Sequence, residues 1–297
     1  MQLRSAYEES AGSQSSLHTP LWGLILRTRA LRLSALLVVV ICFDALALAQ
    51  TREGDPDQYS VRVSGFWLYS SPTVRLEAAG HNGFIQFDRD FGFNAYSTFL
   101  GKIDWKFTRK NHLYFVAAPF NQSNSAVLNR TITFRGQTYV FGATAKANLQ
   151  AIGYSPGYQY DIIRRKRGHL GIAAQINIFH TTGTISAAAQ VTSAGIHQPA
   201  ASSSASLLAP IPAAGPEFRL YLLKDRLYVN GNAFGMYFFG YGNYYSTVDY
   251  LGVSVSRYLS ITGGYAIGSH LRVNDSNNRV GLNLIQQGPL AGVEVSF

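Results

Sequence analysis

The chain has 297 residues and a formal net charge of +9, with only 14% charged residues against 47% hydrophobic ones. Soluble proteins carry roughly 25% charged residues, so this composition argues against an ordinary water-facing surface. The single cysteine excludes a disulfide framework, and the basic balance comes with no recognised nucleic-acid-binding module.

In chain order, the first feature is an address. Arg27, Arg29 and Arg32 precede an apolar run from Leu33 to Phe43, and Ala47-Leu48-Ala49 follows. A positive region, an apolar stretch and an A-x-A site predict a cleaved signal peptide, with cleavage between Ala49 and Gln50. Eleven apolar residues would span ~16 Å as a helix, about half a hydrocarbon core. Residues 1–26 form an unusually long leader, either an extended n-region or an upstream start. Residues 50–297 keep 21 basic and 13 acidic residues, +8, and contain no cysteine, since Cys42 lies in the removed part. Beyond residue 49 no stretch approaches about 18 apolar residues, which excludes helical membrane spans.

The rest of the chain has period two. Val61, Val63, Trp67 and Tyr69, with Tyr59 before them, alternate with Ser60, Arg62, Ser64 and Ser70. Phe99, Ile103, Trp105 and Phe107 then alternate with Thr98, Lys102, Asp104 and Lys106. Ile172, Ala174 and Ile176 oppose Ala173, Gln175 and Asn177, and Phe218, Leu220 and Leu222 oppose Glu217, Arg219 and Tyr221. Such segments are strands with one apolar and one polar face. Turn positions divide them into ten: about 58–72, 95–107, 111–121, 143–163, 168–183, 213–223, 227–240, 246–257, 259–272 and 279–297. Many exceed the 5 or 6 residues usual in soluble proteins and suit tilted strands of roughly 9–11 residues in a membrane. Short polar turns alternate with longer loops, among them a Ser/Ala/Pro-rich one at 185–212. Aromatic residues gather near strand ends, Trp105 and Phe107 at one rim and Tyr237, Phe238, Tyr241, Tyr244 and Tyr245 at the other. Eight or twelve strands stay open, because residues 83–94 and 131–141 could pair and the apolar phase flips at Gly288-Pro289.

The last strand, Leu290 to Phe297, alternates Ala291, Val293 and Val295 and ends in Phe297. It resembles the C-terminal targeting signal of bacterial outer-membrane β-barrel proteins. That resemblance implies an all-β, closed, antiparallel up-and-down transmembrane barrel of about ten strands in the bacterial outer membrane. It further implies biogenesis by the barrel-assembly machinery and contact with outer-membrane lipid and lipopolysaccharide. The domain reading is residues 1–49 as extension and signal peptide and 50–297 as barrel.

With the apolar face outward, Arg62, Lys102, Asp104, Lys106, Lys146, Glu217, Arg219, Arg272 and Glu294 line the lumen. Six are basic and three acidic. A narrow barrel would fill with such side chains, helped by Tyr114, Tyr228, Phe234 and Met236, and serve a structural or surface role. The alternative is a small, weakly anion-preferring porin; a loop-mediated surface binder and a lipid-active enzyme follow. Catalysis has one weak candidate, His180 with Thr181 and Thr182, with no serine fixed beside it. His81, His112, His169, His180, His197 and His270 show no metal-ligand spacing, and Glu77, Asp88 and Asp90 read as solvated loop acids. No cofactor, metal or catalytic site is expected.

Overall fold

The computed structural model describes residues 57–70, 73–78, 84–223, 226–238, 242–275 and 280–297. The expected leader, signal peptide and cleavage site lie outside these residues, as do the side chains of Glu77, His81, His270 and Arg272.

Almost everything described is strand. The chain begins β1 (Val61–Ser70), β2 (Thr73–Ala78), β3 (Phe84–Gln86), the one-turn helix α1 (Phe87–Asp90), β4 (Tyr96–Lys106) and β5 (Asn111–Val127). There follow β6 (Ile132–Phe134), β7 (Gln137–Tyr139), β8 (Thr144–Arg165), β9 (Gly168–Ala187), β10 (Gln190–Val191), β11 (His197–Gln198) and β12 (Ala201–Leu222). The last elements are β13 (Leu227–Phe238), β14 (Gly242–Ser254), β15 (Leu259–Asp275), β16 (Val280–Ile285) and β17 (Gly288–Ser296).

Antiparallel ladders run β1–β4–β5–β8–β9–β12–β13–β14–β15–β17 and return to β1, closing a ten-stranded barrel. The closing seam pairs Arg62 with Ser296 and Leu68 with Leu290. Closure gives every strand of the ring a neighbour on both sides, which a sheet in lipid requires.

The phase flip at Gly288 is a break inside one barrel strand. β15 pairs with β17 along its first half and with β16 along its second. β16 continues onto β2 as β17 does onto β1. At the break a Cβ on Gly288 would sit 1.8 Å from the Tyr69 carbonyl oxygen, so the close approach requires glycine. The two ambiguous segments add no barrel strands. β3 extends β2 beyond the ring, and β6–β7 is a separate hairpin. Eight and twelve strands are thereby excluded.

The 185–212 segment is the main correction. Only 188–200 connects strands; 201–212 belongs to the 22-residue β12. Its ladder with β9 is unbroken from Ala201↔Ala187 to Leu220↔Gly168. Ala205, Leu207, Ala209, Ile211 and Ala213 point inward, and Ser206, Leu208, Pro210 and Pro212 outward. Pro210, Pro212 and Pro216 share one parity, so their missing N–H groups lie along one edge. That edge faces β13, where pairing is absent above Ala214 and at Gly215–Pro216. Composition suggested a loop because prolines sat where no ladder needs a donor. A Cβ on Gly215 would lie 1.7 Å from the Ala233 carbonyl oxygen. Gly215→Val is therefore expected to lower the folded, heat-modifiable fraction on unboiled gels, while Pro210→Val leaves it unchanged.

The outer face is an apolar belt. Trp67 is 59% exposed, and Phe99, Ile103, Trp105, Ile172, Leu251, Tyr265 and Val293 are exposed with it. At the rims Phe107, Tyr237 and Tyr245 also point out, but Tyr244 is buried inside. Tyr59, taken as apolar-facing, is buried too, between the Arg62 guanidinium (3.7 Å) and the Lys106 ammonium (4.2 Å).

Candidate functional site

The lumen has two halves of opposite chemistry. At the end with the short turns, ten charged side chains fill it. Glu294 centres the first group. Arg219 donates to both its oxygens (2.7 and 2.8 Å), Tyr228 donates at 3.1 Å, Ser64 at 3.3 Å, and the Arg62 Nε lies 3.3 Å away. Arg219 also donates to Asn230 (3.0 Å) and lies over the Tyr228 ring. These residues come from β1, β12, β13 and β17, and their inward parity follows from strand alternation.

Asp57 centres the second group. It precedes β1 and is fully buried, accepting from Lys106 at 3.1 Å and Arg62 at 3.4 Å and meeting His169 Nδ1 at 2.9 Å. Burial alone would raise its carboxyl, but the His169 hydrogen bond and the charges of His169, Lys106 and Arg62 hold it well below the usual carboxylate range. His112 stands between Asp104 and Asp161, 3.1 Å from each. Lys102 lies 3.9 Å from Asp104 and 3.8 Å from Glu217. Arg164 reaches Asp161 at 3.7 Å, and Arg62 joins the two groups.

Among the described residues the interior therefore holds Arg62, Lys102, Lys106, Arg164 and Arg219 against Asp57, Asp104, Asp161, Glu217 and Glu294. These five lysines and arginines meet five carboxylates, and the charge of His169 on Asp57 comes on top of them. Of the expected lining residues, Arg62, Lys102, Asp104, Lys106, Glu217, Arg219 and Glu294 sit in this network. Lys146 does not: it is exposed on the outward face of β8, because inward positions there are odd-numbered from Ala145 to Asp161. Met236 is exposed as well, at the top of β13.

Asp57, Asp161, His112 and His169 escaped sequence reasoning. Asp57 sat in a polar N-terminal stretch, and the two histidines, 5.9 Å apart between ring centres, are separated by 57 positions along the chain. Only the β5–β8–β9 register unites them. Asp57, Asp161 and His169 offer ligand atoms within 4.8 Å of one another. Their lone pairs are already directed at Lys106, Arg62, His112 and Arg164, so the cluster is built as an ion-pair network.

Above this layer the lumen turns apolar. A chamber of about 160 Å³ has walls of Phe66, Leu100, Val116, Phe120, Phe179 and Phe234 and a floor that includes Lys102, Gln159 and Glu217. Its upper lining continues into a core of Phe87, Phe91, Phe93, Phe134 and Tyr139, carried by α1 and the β6–β7 hairpin. These aromatics pack on inward alanines of the tall strands, Ala145, Ala147, Ala187 and Ala205. Arg130 grips Asp90 through two bonds (2.6 and 2.9 Å), and Tyr139 donates to the Ile185 carbonyl (2.7 Å). Asp90 is thus a structural acid and not a solvated one.

His180 is exposed on the outer face opposite Ile152 and Leu208. Val293 and Phe297 are exposed on the last strand.

No protein-family model and no curated protein matches the chain. Among solved structures it is similar to the outer membrane protease OmpT of Escherichia coli, at 13% identity over 84% of this chain and 99% of that one, TM-score 0.49. It is also similar to the outer membrane protein OprG of Pseudomonas aeruginosa (12% identity, 80% and 96% covered, TM-score 0.31). A third is Ail, the attachment invasion locus protein of Yersinia pestis (11%, 80% and 99%, TM-score 0.32). These TM-scores fall below 0.5, and the fold rests on the ladder itself. A closed ring of ten antiparallel strands, apolar outside, charged within and joined by short turns at one end, is a transmembrane β-barrel.

Proposed function

We propose that this barrel is sealed: it spans the outer membrane in a structural or surface role and does not conduct. One observation carries the reading. Five cations and five carboxylates interlock across the lumen on the periplasmic side, and nearly all are buried. A water-filled pore would leave such groups hydrated, whereas a plug must pair them.

The chain from Gln50, refolded into a planar bilayer, tests this. Unboiled and boiled gel samples first establish that it has folded. Silence is the expected result; steady, salt-dependent steps with anion preference would restore the porin reading.

The reading extends to export and surroundings. Residues 27–49 serve as the signal peptide, and mass measurement of the membrane-extracted protein should give a chain beginning at Gln50. Val293, Val295 and Phe297 form the signal for the barrel-assembly machinery. At the periplasmic rim Arg109, Lys110, Arg165, Lys166, Arg167 and Arg257 are exposed together, suited to anionic phospholipid head groups. Lipopolysaccharide surrounds the other end. The role is non-enzymatic: His180 has apolar cross-strand neighbours and faces lipid.

A further inference from the structure

The wall between the chamber and the lipid has a weak point. In the β8–β9 ladder, pairing runs through Tyr154↔Ile178, resumes at Gly157↔Gln175, and is missing in between. The unpaired residues are Ser155 and Pro156 on β8 and Ile176 and Asn177 on β9. Pro156 has no N–H to give, which accounts for part of the gap.

The gap separates two spaces. Ser155 and Asn177 line the chamber. Pro156 and Ile176 line an apolar trough of about 630 Å³ on the lipid-facing surface, with Leu113, Phe115, Tyr158 and Pro212. Tyr114 and Gln175 border both spaces. The partition is thus one layer thick, and side chains hold it where the backbone does not. Tyr114 donates to Gln175 (2.9 Å), while Gln175 and Ser155 both donate to Asn177 Oδ1 (2.7 Å each). The Tyr114 ring lies so close to Gly157 that a Cβ there would be 2.2 Å from it. Hydrogen bonds between side chains exchange more readily than a continuous ladder opens, so this latch is the part of the wall suited to parting.

The chamber specifies its occupant. Its walls are apolar, and its floor holds one buried acceptor without a hydrogen-bond donor, Gln159 Oε1, beside Glu217 Oε2, which faces His169 Nε2 at 3.8 Å. An unsatisfied buried acceptor is costly, so a ligand that donates there is favoured. The trough lies within the lipid-facing belt, where alkyl chains are the surrounding medium.

We propose that the chamber binds a single alkyl chain bearing a donor head group, a hydroxyl or amine, taken sideways from the bilayer through the Ser155–Asn177 gap. The site goes beyond the sealed-barrel reading, which concerns ions and the periplasmic plug. A barrel can be silent to ions and fail to bind, or bind and still conduct.

Radiolabelled dodecan-1-ol and laurate, offered to the chain from Gln50 in phosphatidylcholine nanodiscs, test both parts. The expected result is retention of about one dodecanol per barrel above protein-free discs, with laurate retained less. Ala151→Phe, which fills the chamber, should abolish retention while the gel shift on boiling stays intact. Equal retention by wild type and the filled variant, or none by either, would overturn the site. The passage is tested by S155C/N177C, in a chain otherwise free of cysteine. Oxidised, it should load far more slowly than the same protein reduced; equal rates would overturn the lateral route and leave the site standing. Laurate bound as well as dodecanol would overturn the donor-head assignment.

Discussion

Replacing Glu294 by alanine is expected to destabilise the barrel by about 3–5 kcal/mol, read as a lowered urea midpoint in lipid vesicles. The side chain is 2% exposed and accepts from Arg219, Tyr228 and Ser64, with Arg62 close by. Its removal leaves the Arg219 guanidinium buried without a carboxylate and Arg62 with Asp57 alone, in a wall whose other side is lipid. Desolvated cations without a partner cost more than the lost hydrogen bonds do. Glu294→Gln should be milder, because the amide still accepts from Arg219 and Tyr228, though without the charge. The double change Glu294→Leu with Arg219→Leu should recover much of the stability, since it removes both charges together and leaves only Arg62 to be hydrated from the periplasmic side. An alanine variant as stable as wild type would mean that water reaches Arg219 and that the lumen is wetter than a plug.

Which parts of this molecule show in the sequence follows from how many strands must cooperate to make them. The barrel shows because period two is local: Phe218, Arg219, Leu220 and Tyr221 declare two faces within four residues, and the strands as read differ from β4, β9 and β13 by a few residues at most ends. Seven of the lining residues follow from the same parity. Parity fails at Lys146, where the choice of inward phase in β8 depends on Ala145, Ala147 and Leu149 being the inner, loop-packing face. Small apolar residues inside and a charge outside invert the pattern learned from the lower strands. The strand reading also fails at 201–212, where alanines, serines and prolines disguise a strand whose outer edge has no partner. Partnerships lie furthest from view. His112 meets His169, and Glu294 meets Arg219, only after the register of several ladders is fixed. The matching of five carboxylates to five lysines and arginines in the lumen therefore depends on Asp57, Asp161 and Arg164, none of which a face count would include.

Apolar and charged halves of one lumen make a division of labour. The charged half must stay paired to remain closed, so it tolerates few changes. The apolar half, roofed by α1 and the β6–β7 hairpin, has an open chamber and an orphaned acceptor, and its wall is latched by side chains. Function in this barrel is expected where pairing is incomplete.

The second large effect concerns Asp57, which lies outside the strands and still completes the plug. Asp57→Ala removes the shared carboxylate of Lys106, Arg62 and His169 while leaving the ladder intact. The cations left behind repel one another, and their hydration draws water and anions into the periplasmic mouth. The variant should fold, show the gel shift on boiling, lose stability of the same order as the Glu294 variant, and give anion-preferring conductance steps absent from wild type. Acid should mimic the change in a defined window. The Asp57 carboxyl is held well below its unfolded value of about 3.9, so its contribution is complete above that pH and is lost as pH falls through the depressed folded value. The gap in urea midpoint between wild type and Asp57→Asn should thus be constant from pH 7 down to about 4 and narrow below it. A chain beginning at Ser60, lacking Asp57 and Tyr59, should conduct like the alanine variant; if it is silent and equally stable, the strands alone close the barrel and Asp57 only decorates the closure.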